Sequence, residues 1–362
     1  MADQLLYTSA ADGLKAGSSG YCTVEKTPGI NETLESSLQR LSSYDAIYHP
    51  TPDRQNPICF NHVVVTAGRR KYNVISRVSD YSDDYSGRSN YLAHHLVLSE
   101  TEKTVGRDPA AILAQPGLMK SEWSGQSLYV DPPTVQATSS PLTQCTEWRE
   151  VCGGTHEAAG WAGVLAERTR QSPREPIYIL LPAPKSANWP ADRTLKLVDE
   201  ALVLLPPARR WQVTFSTFYS DLLADTTCQW RFVVEGSPAF AAATDGRHGE
   251  IINLTAPLGQ PTGGDLVLMA QTGVRAAAVS DEPVEAHGPT HVTRRTGPPA
   301  LDSTSMDPDK APNIAPPTPP MNPVEPSPPL AGGPPEYNVP PGIAQPGLPP
   351  SFHNSSELMR RQ

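Results

Sequence analysis

Short runs of apolar and β-branched residues, separated by turn residues, fill the first third of the chain. Runs of about four to eight such residues bounded by glycine, serine or proline are typical of β-strands. The break between the third and fourth runs is short and contains Gly68, which predicts a β-hairpin. The predicted strands are LLYTSA (5–10), YCTVEKT (21–27), HVVVTAG (62–68), KYNVISRVS (71–79) and LAHHLVLS (92–99).

Two segments among these runs have a helical pattern instead. Asn31 is placed to cap a helix in which Leu34, Leu38 and Leu41 recur at three- and four-residue spacing on one face. A shorter helical signal lies in DPAAILAQ (108–115). Together these elements predict an α+β N-terminal domain with a largely antiparallel sheet over residues 1–133.

After a linker-like segment at 134–144, the pattern of residues 145–278 changes to alternating helices and strands. Two stretches have helical periodicity: 154–170, with Thr155 as a candidate N-cap, and 192–206. A short, continuous apolar run indicates a buried strand, and aromatic or β-branched content indicates two more. A strand, a helix and a strand in this order predict a smaller α/β domain. The predicted strands are PIYILLP (176–182), RWQVTFSTF (210–218) and CQWRFVV (228–234).

Proline usage separates the rest of the chain from these two domains. Of the 40 prolines in 362 residues, 21 lie in residues 281–362, where aromatic residues are scarce. Such a segment buries too little apolar surface to offset its chain entropy, so residues 279–362 are predicted to be a disordered tail with polyproline II character. A spacer is the favoured interpretation, and a ligand for a domain that reads polyproline II is the alternative.

Charge and composition exclude several classes of protein. The net charge of −9 argues against a nucleic-acid binder, whose affinity depends on clustered positive charge. No stretch approaches the roughly 20 apolar residues that span a bilayer, and no signal peptide is recognisable. Five widely spaced cysteines indicate reduced thiols rather than a disulfide framework. We therefore expect a cytoplasmic protein.

The densest group of chemically active side chains lies in DYSDDYSGRSNYLAHHLVL (80–98). A metal site is the first hypothesis to consider, with His62, Asp83 or Asp84 as further ligands. His94 and His95 are adjacent, however, and neighbouring side chains of a strand point to opposite faces. No zinc-binding cysteine or histidine spacing occurs either. We therefore predict no metal and no cofactor.

Two other kinds of chemistry, nucleophilic catalysis by a thiol and recognition of a phosphate, use residues of the same region. A thiol nucleophile would pair Cys22 or Cys59 with a histidine, although a small buried residue is the simpler interpretation of Cys22. Phosphate chemistry lacks a P-loop, but Asp84, Arg88 and Asn90 around Gly87 fit either an anion-recognising loop or a self-satisfied loop network. The loop network is favoured.

Several ordered motifs resemble one protein family. LLYTSA, GYCTVEKTPGI, NPICFNH and YNVISRVSDYSDDYSGRSNYLAHHLVL resemble the type-two N-terminal domain of bacterial GTPase-associated proteins. LLPPARRWQVTFSTFY and CQWRF resemble their middle domain, and the resemblance covers residues 3–275. The residues that match the family's polar pattern, candidates for a shared binding surface, are Asn56, Pro57, His62, Arg77, Asp84, Tyr85, Arg88, Asn90, His94 and His95.

The resemblance implies an accessory protein encoded with a dedicated GTPase in a bacterial conflict or signalling system. It supplies no catalytic residues, so the leading hypothesis is a non-catalytic adaptor that binds the GTPase. The alternative is a hydrolase acting on a phosphorylated or nucleotide-derived substrate, with Asp84, Arg88, His94 and His95 as candidate catalytic residues. Cys22 is a further catalytic candidate, as a thiol nucleophile. A module held near a membrane by its tail is a third hypothesis.

Overall fold

The computed structural model describes residues 1–48, 56–139, 141–183, 192–220, 226–245 and 249–275. The tail predicted at 279–362 lies outside the described residues. Within these ranges the strands β1 to β10 are Asp3–Ala10, Gly20–Lys26, Cys59–Ala67, Arg70–Tyr81, Asn90–Leu98, Leu128–Tyr129, Ile177–Leu181, Phe215–Ser216, Trp230–Val234 and Glu250–Asn253. The helices α1 to α9 are Glu32–Leu41, Glu100–Val105, Pro109–Leu113, Thr146–Val151, Gly160–Gln171, Arg193–Leu204, Pro207–Arg210, Pro238–Thr244 and Asp265–Thr272.

All ten described strands belong to one sheet, in the order β10-β7-β9-β8-β3-β4-β5-β1-β2-β6. Strands β3, β4, β5, β1 and β2 are antiparallel neighbours, and the β3–β4 hairpin turns at Gly68, whose φ of 63° suits glycine. Strands β10, β7, β9 and β8 are parallel neighbours. The predicted α+β class with a mostly antiparallel sheet is confirmed.

The two halves of the sheet meet at β3 and β8. These strands pair antiparallel, with Asn61 opposite Ser216 and His62 opposite Phe215. One apolar cluster spans the junction and contains residues of both halves, among them Ile75, Leu96, Trp148 and Trp230. The segments on either side of residues 134–144 therefore share a sheet and a hydrophobic core.

Helix α1 covers one face of the antiparallel half, as its sequence pattern predicts. The Asn31 side chain accepts a hydrogen bond from the Leu34 amide (3.0 Å), which satisfies one of the free N–H groups of the first turn. Leu34, Leu38 and Leu41 are buried against an apolar cluster that includes Val63 of β3. Capping and periodicity therefore agree with the tertiary packing.

The segment predicted as a strand at 210–218 is mostly not extended. Pro207 occupies the first turn of α7, where a fixed φ and a missing N–H favour a helix, so Arg210 is helical and a turn follows at 211–212. The strand itself is only Phe215–Ser216. Thr155 caps a short 3₁₀ turn, Glu157–Ala159, that precedes α5: its Oγ1 accepts from the Ala158 amide at 3.3 Å.

Helices α4 and α9 have no side-chain cap of their own. Instead, Glu200 of α6 accepts hydrogen bonds from the amides of Glu147 (2.9 Å) and Trp148 (3.1 Å) at the start of α4. Glu167 of α5 does the same for the amide of Gly264 (2.7 Å) before α9. Each carboxylate also complements the positive end of the helix dipole, so these contacts hold the helical layer together.

Replacing Glu200 with alanine tests this capping across helices. The Glu200→Ala variant leaves two amides of α4 without an acceptor, and we expect it to lower the free energy of unfolding by about 1–2 kcal/mol. Urea unfolding at neutral pH measures the loss. Glu122→Ala removes an exposed carboxylate and is the control, with an expected change within about 0.5 kcal/mol. Equal stability of the two variants contradicts the capping role.

Candidate functional site

The loop Asp84–Arg88 is organised by the carboxylate of Asp84. Its Oδ1 accepts hydrogen bonds from the Ser86 amide (2.8 Å), the Ser86 hydroxyl (2.7 Å) and the Arg88 amide (3.0 Å). Its Oδ2 accepts from the Ser9 hydroxyl (3.0 Å) and from Nη2 of Arg88 (3.0 Å). Because the Ser86 hydroxyl and the other donors stabilise the charged form, the pKa of Asp84 is held well below its usual range.

Two further features fix the same loop. Gly87 adopts a φ of 77°, a conformation that suits glycine and allows the tight turn. Asn90, at the end of the loop, accepts hydrogen bonds from the amides of Ser9 (3.1 Å) and Tyr91 (2.8 Å), and its Nδ2 donates to the Thr8 hydroxyl (3.0 Å). Asp84 and Asn90 thus join the loop to strand β1, and their polar atoms are occupied in doing so.

The fixed loop leaves two large side chains in solvent. Tyr85 is 58% exposed and the Arg88 side chain is 68% exposed, although Arg88 remains paired with Asp84. Tyr21 of β2, 42% exposed, reaches the end of the same loop, where its hydroxyl donates to the Ser89 carbonyl at 3.5 Å. Its ring stacks on Tyr91 with centroids 4.5 Å apart. The ring of Tyr7 lies near both, with its centroid 6.1 Å from that of Tyr21 and 6.5 Å from that of Tyr91. We call the exposed group Tyr21, Tyr85 and Arg88 the tyrosine–arginine surface.

An open groove adjoins this surface. Its lining includes Asp12, Asp84, Tyr85, Asn90 and Trp123, and no histidine is among the described residues that line it. The structure therefore brings together three of the predicted binding residues, Asp84, Tyr85 and Asn90, and separates them from the two adjacent histidines.

His94 is buried on one face of β5. Its Nδ1 accepts a hydrogen bond from the Lys120 amide (2.9 Å), so the proton resides on Nε2, which donates to Oε1 of Gln4 (3.0 Å). Burial, reinforced by His95, Lys120 and Arg77, lowers the pKa of His94 to about 3. The ring is neutral at physiological pH and has both nitrogens occupied.

His95 is buried on the opposite face of the same strand. Its two ring nitrogens lie 2.7 Å from the Ser42 hydroxyl, just after α1, and 2.7 Å from the Ser76 hydroxyl on β4. Desolvation lowers its pKa to about 3. The two histidines therefore have separate partners, and neither reaches the loop that holds Asp84 and Arg88.

The remaining predicted residues form hydrogen bonds with other parts of the chain. His62 donates from Nδ1 to the Val213 carbonyl (2.7 Å), across the β3–β8 junction, and burial lowers its pKa to about 4. Asn56 accepts from the Ile47 and Tyr48 amides and donates to Asp80 (2.7 Å). Arg77 donates to the Ser79 hydroxyl (2.9 Å), and the Pro57 carbonyl accepts from the hydroxyl of Tyr44 (2.7 Å).

The cysteines are not activated. Burial raises the pKa of both Cys22 and Cys59, which disfavours the nucleophilic thiolate. Cys59 donates to the Phe218 carbonyl at 3.2 Å. All five cysteines are free thiols. Among the described residues, no group of three or more histidines, cysteines or acids is placed to hold a metal ion.

Sequence reasoning missed the stacked tyrosines. Tyr7, Tyr21 and Tyr91 come from three strands, and their rings meet only because Ser9 pairs with Tyr21 and Tyr7 pairs with Ala93. In the sequence, the tyrosines near the ends of the predicted strands are the feature that could have indicated this stack. Their stacking depends on the pairing register, which was not known.

The fold and the site thus define a protein of the α+β class in which Asp84 and Asn90 order an exposed loop. Residues 1–138 match the family described as GTPase-associated protein 1, N-terminal domain type 2. Residues 145–256 match GTPase-associated protein 1, middle domain. The chain belongs to the GTPase-associated protein 1 family, as the sequence resemblance predicted.

Comparison with curated proteins and with solved structures gave no match. In the part of the chain that the structure describes, no helix has the length and apolar character needed to cross a membrane.

The three buried histidines predict acid sensitivity. The folded pKa values of about 3 for His94 and His95 and about 4 for His62 lie below the unfolded value, so the unfolded chain binds more protons. Their contribution to stability is complete above about pH 6.5 and is lost as the pH falls toward the folded pKa values. We expect the free energy of unfolding to fall by about 2 kcal/mol per histidine between pH 7 and pH 5.

Urea unfolding of the full chain at several pH values between 7 and 5 measures this slope. His156, which is exposed, provides the matched control, and a His156→Gln variant is expected to show the same slope as the unmodified protein. A stability that does not change over this range contradicts the buried, neutral state of the histidines.

The Asp84 network predicts the behaviour of its own loop. In an Asp84→Ala variant the amides of Ser86 and Arg88 lose their acceptor, and we expect their hydrogen exchange to accelerate by about tenfold or more. Amide exchange followed by nuclear magnetic resonance measures the effect. Asp83→Ala removes the neighbouring exposed carboxylate and is expected to leave both amides unchanged. Equal exchange rates in the two variants contradict the organising role of Asp84.

Proposed function

We propose that this chain is a non-catalytic cytoplasmic adaptor that binds a partner GTPase through the tyrosine–arginine surface. Family membership supports the association with a GTPase. The observation that carries the choice of surface is the Asp84 network, which uses buried polar atoms to hold Tyr85 and Arg88 in solvent. In this proposal the GTPase is encoded nearby and serves a bacterial conflict or signalling system, and the Pro-rich residues 279–362 are a spacer.

A preorganised loop favours binding for a physical reason. Ordering a loop upon association costs free energy, and a loop whose carboxylate already accepts six hydrogen bonds has met that cost on folding. Tyrosine and arginine are also the residue types that most often dominate binding energy at protein interfaces. Tyr21, Tyr85 and Arg88 therefore supply suitable chemistry in a fixed arrangement.

Arg88 acts here as a docking residue. Its Nε and Nη2 atoms face Asp84, at 3.3 and 3.0 Å, and its other N–H groups are oriented to meet acceptors outside the loop. Insertion into the active site of a GTPase would require Arg88 to leave a carboxylate whose charged form is strongly stabilised. Docking keeps that ion pair and is the less costly role.

The alternative hydrolase gains no support from this geometry. Its candidate residues Asp84 and Arg88 bind each other, while His94 and His95 are buried on opposite faces of β5 with low pKa values. Cys22 has a raised pKa, and its thiol interacts with the backbone of Ala10 and the side chain of Ser18. Apart from the Asp84–Arg88 pair, these groups lie in separate environments.

Direct binding to the GTPase encoded beside this chain tests the proposal. Isothermal titration calorimetry with the GTPase loaded with GDP or with a non-hydrolysable GTP analogue measures the affinity. We expect a complex at micromolar concentration, which a Tyr85→Ala or Arg88→Ala substitution weakens about tenfold or more. Tyr129→Ala and Arg69→Ala replace exposed residues of the same types elsewhere and are expected to bind normally.

Two results contradict this proposal in different ways. Absence of a complex in both nucleotide states removes the partner. A complex that Tyr85→Ala and Arg88→Ala leave intact, or that the control substitutions weaken equally, removes the surface.

A further inference from the structure

A second site lies in the other half of the molecule, away from the tyrosine–arginine surface. A concave pocket of about 540 Å³ opens between the C-terminal end of α5 and the connection from α6 through α7 to β8. Its volume falls within the range of small-molecule sites, about 300–1,000 Å³. Leu205 and Val213 give it an apolar wall, and both are buried in the core beneath.

One polar side chain in the pocket is buried without a partner. Gln229 lines the pocket, is only 8% exposed, and its Nε2 has no hydrogen-bond partner among the described residues. Its backbone is held by hydrogen bonds with the Thr214 carbonyl (3.0 Å) and the Ile177 amide (2.7 Å), which fix the position of the residue beside the pocket. A buried amide left unpaired destabilises the folded protein, and a hydrogen bond to a ligand oxygen would relieve this.

The charges that line the pocket all have one sign. Arg170 of α5 and Arg209 of α7 are exposed there, and no acidic residue lines the pocket. Arg209 donates to Oε1 of Gln212 at 3.1 Å, which orients the guanidinium without neutralising it. The chain as a whole carries a net charge of −9, but two arginines beside an apolar pocket make this place locally positive. They therefore attract an anion.

We propose that this pocket binds a small carboxylate with an apolar body. The apolar part packs on Leu205 and Val213, while the carboxylate receives hydrogen bonds from Arg170 and Arg209, which suit planar oxygen pairs. Rotation of the Gln229 side chain toward the pocket brings its Nε2, which is enclosed in the free protein, to a ligand oxygen. The site does not use Tyr21, Tyr85 or Arg88, so it is independent of the proposed association with a GTPase.

Calorimetric titration of the full chain with octanoate tests the site, because octanoate has the required head and body. Octan-1-ol has the same tail without charge, and acetate has the charge without the tail. We expect octanoate to bind about tenfold or more tightly than octan-1-ol, and acetate to show no measurable binding. The Arg170→Gln/Arg209→Gln double variant is expected to abolish this preference for octanoate.

Two single substitutions separate binding from folding. Ala208 is an exposed residue of the pocket lining, so Ala208→Trp fills the space without disturbing the core and is expected to abolish octanoate binding. Gln229→Met keeps the shape but removes the unpaired amide, and is expected to raise the Tm of the free protein while weakening octanoate binding.

Several results would overturn the proposal. They are no octanoate binding at millimolar concentration, equal affinity for octanoate and octan-1-ol, or binding that Ala208→Trp leaves intact. A Gln229→Met variant with a lowered Tm and unchanged affinity would likewise show that the amide serves the fold alone.

Discussion

The pairing of β3 with β8 is the constraint on which the rest of the structure depends. Strand β3 has β4 on one side, and without β8 its other side would be an open edge with unpaired N–H and C=O groups. The ladder is short, but hydrogen bonds between Phe60 and Thr217 extend it, at 2.8 and 2.9 Å. His62 adds a side-chain bond to Val213 at the same junction. Two segments far apart in sequence therefore become one sheet with one core.

Burial of polar residues at this density requires a partner for nearly every one of them. A buried donor or acceptor left unpaired lowers the free energy of unfolding by about as much as several surface contacts raise it. The fold therefore supplies partners from distant segments. His94, His95 and Asn56 each connect two or more elements in this way. Their polar atoms are occupied by hydrogen bonds within the fold. For this reason these residues do not form a reactive cluster in the described structure.

The side chains that the fold leaves in solvent, or buried without a partner, are therefore the informative ones for function. Tyr85 and Arg88 are held in solvent by the buried carboxylate of Asp84, and Gln229 is kept buried without a partner beneath two arginines. The first arrangement suits a protein surface and the second suits a small anion. They lie in different halves of the molecule.

Local periodicity in the sequence by itself determined the five long strands and the first helix of the antiparallel half, and with them the fold class. Asn31 with its leucine spacing, the alternating strands and the hairpin at Gly68 all follow from interactions within a few residues, and the split between His94 and His95 follows from the two-residue repeat of a strand. Only the tertiary structure decided the β3–β8 junction, the caps supplied by Glu200 and Glu167, and the stacking of Tyr7, Tyr21 and Tyr91. These contacts join residues between about ten and more than one hundred positions apart, and their register depends on how the whole core packs.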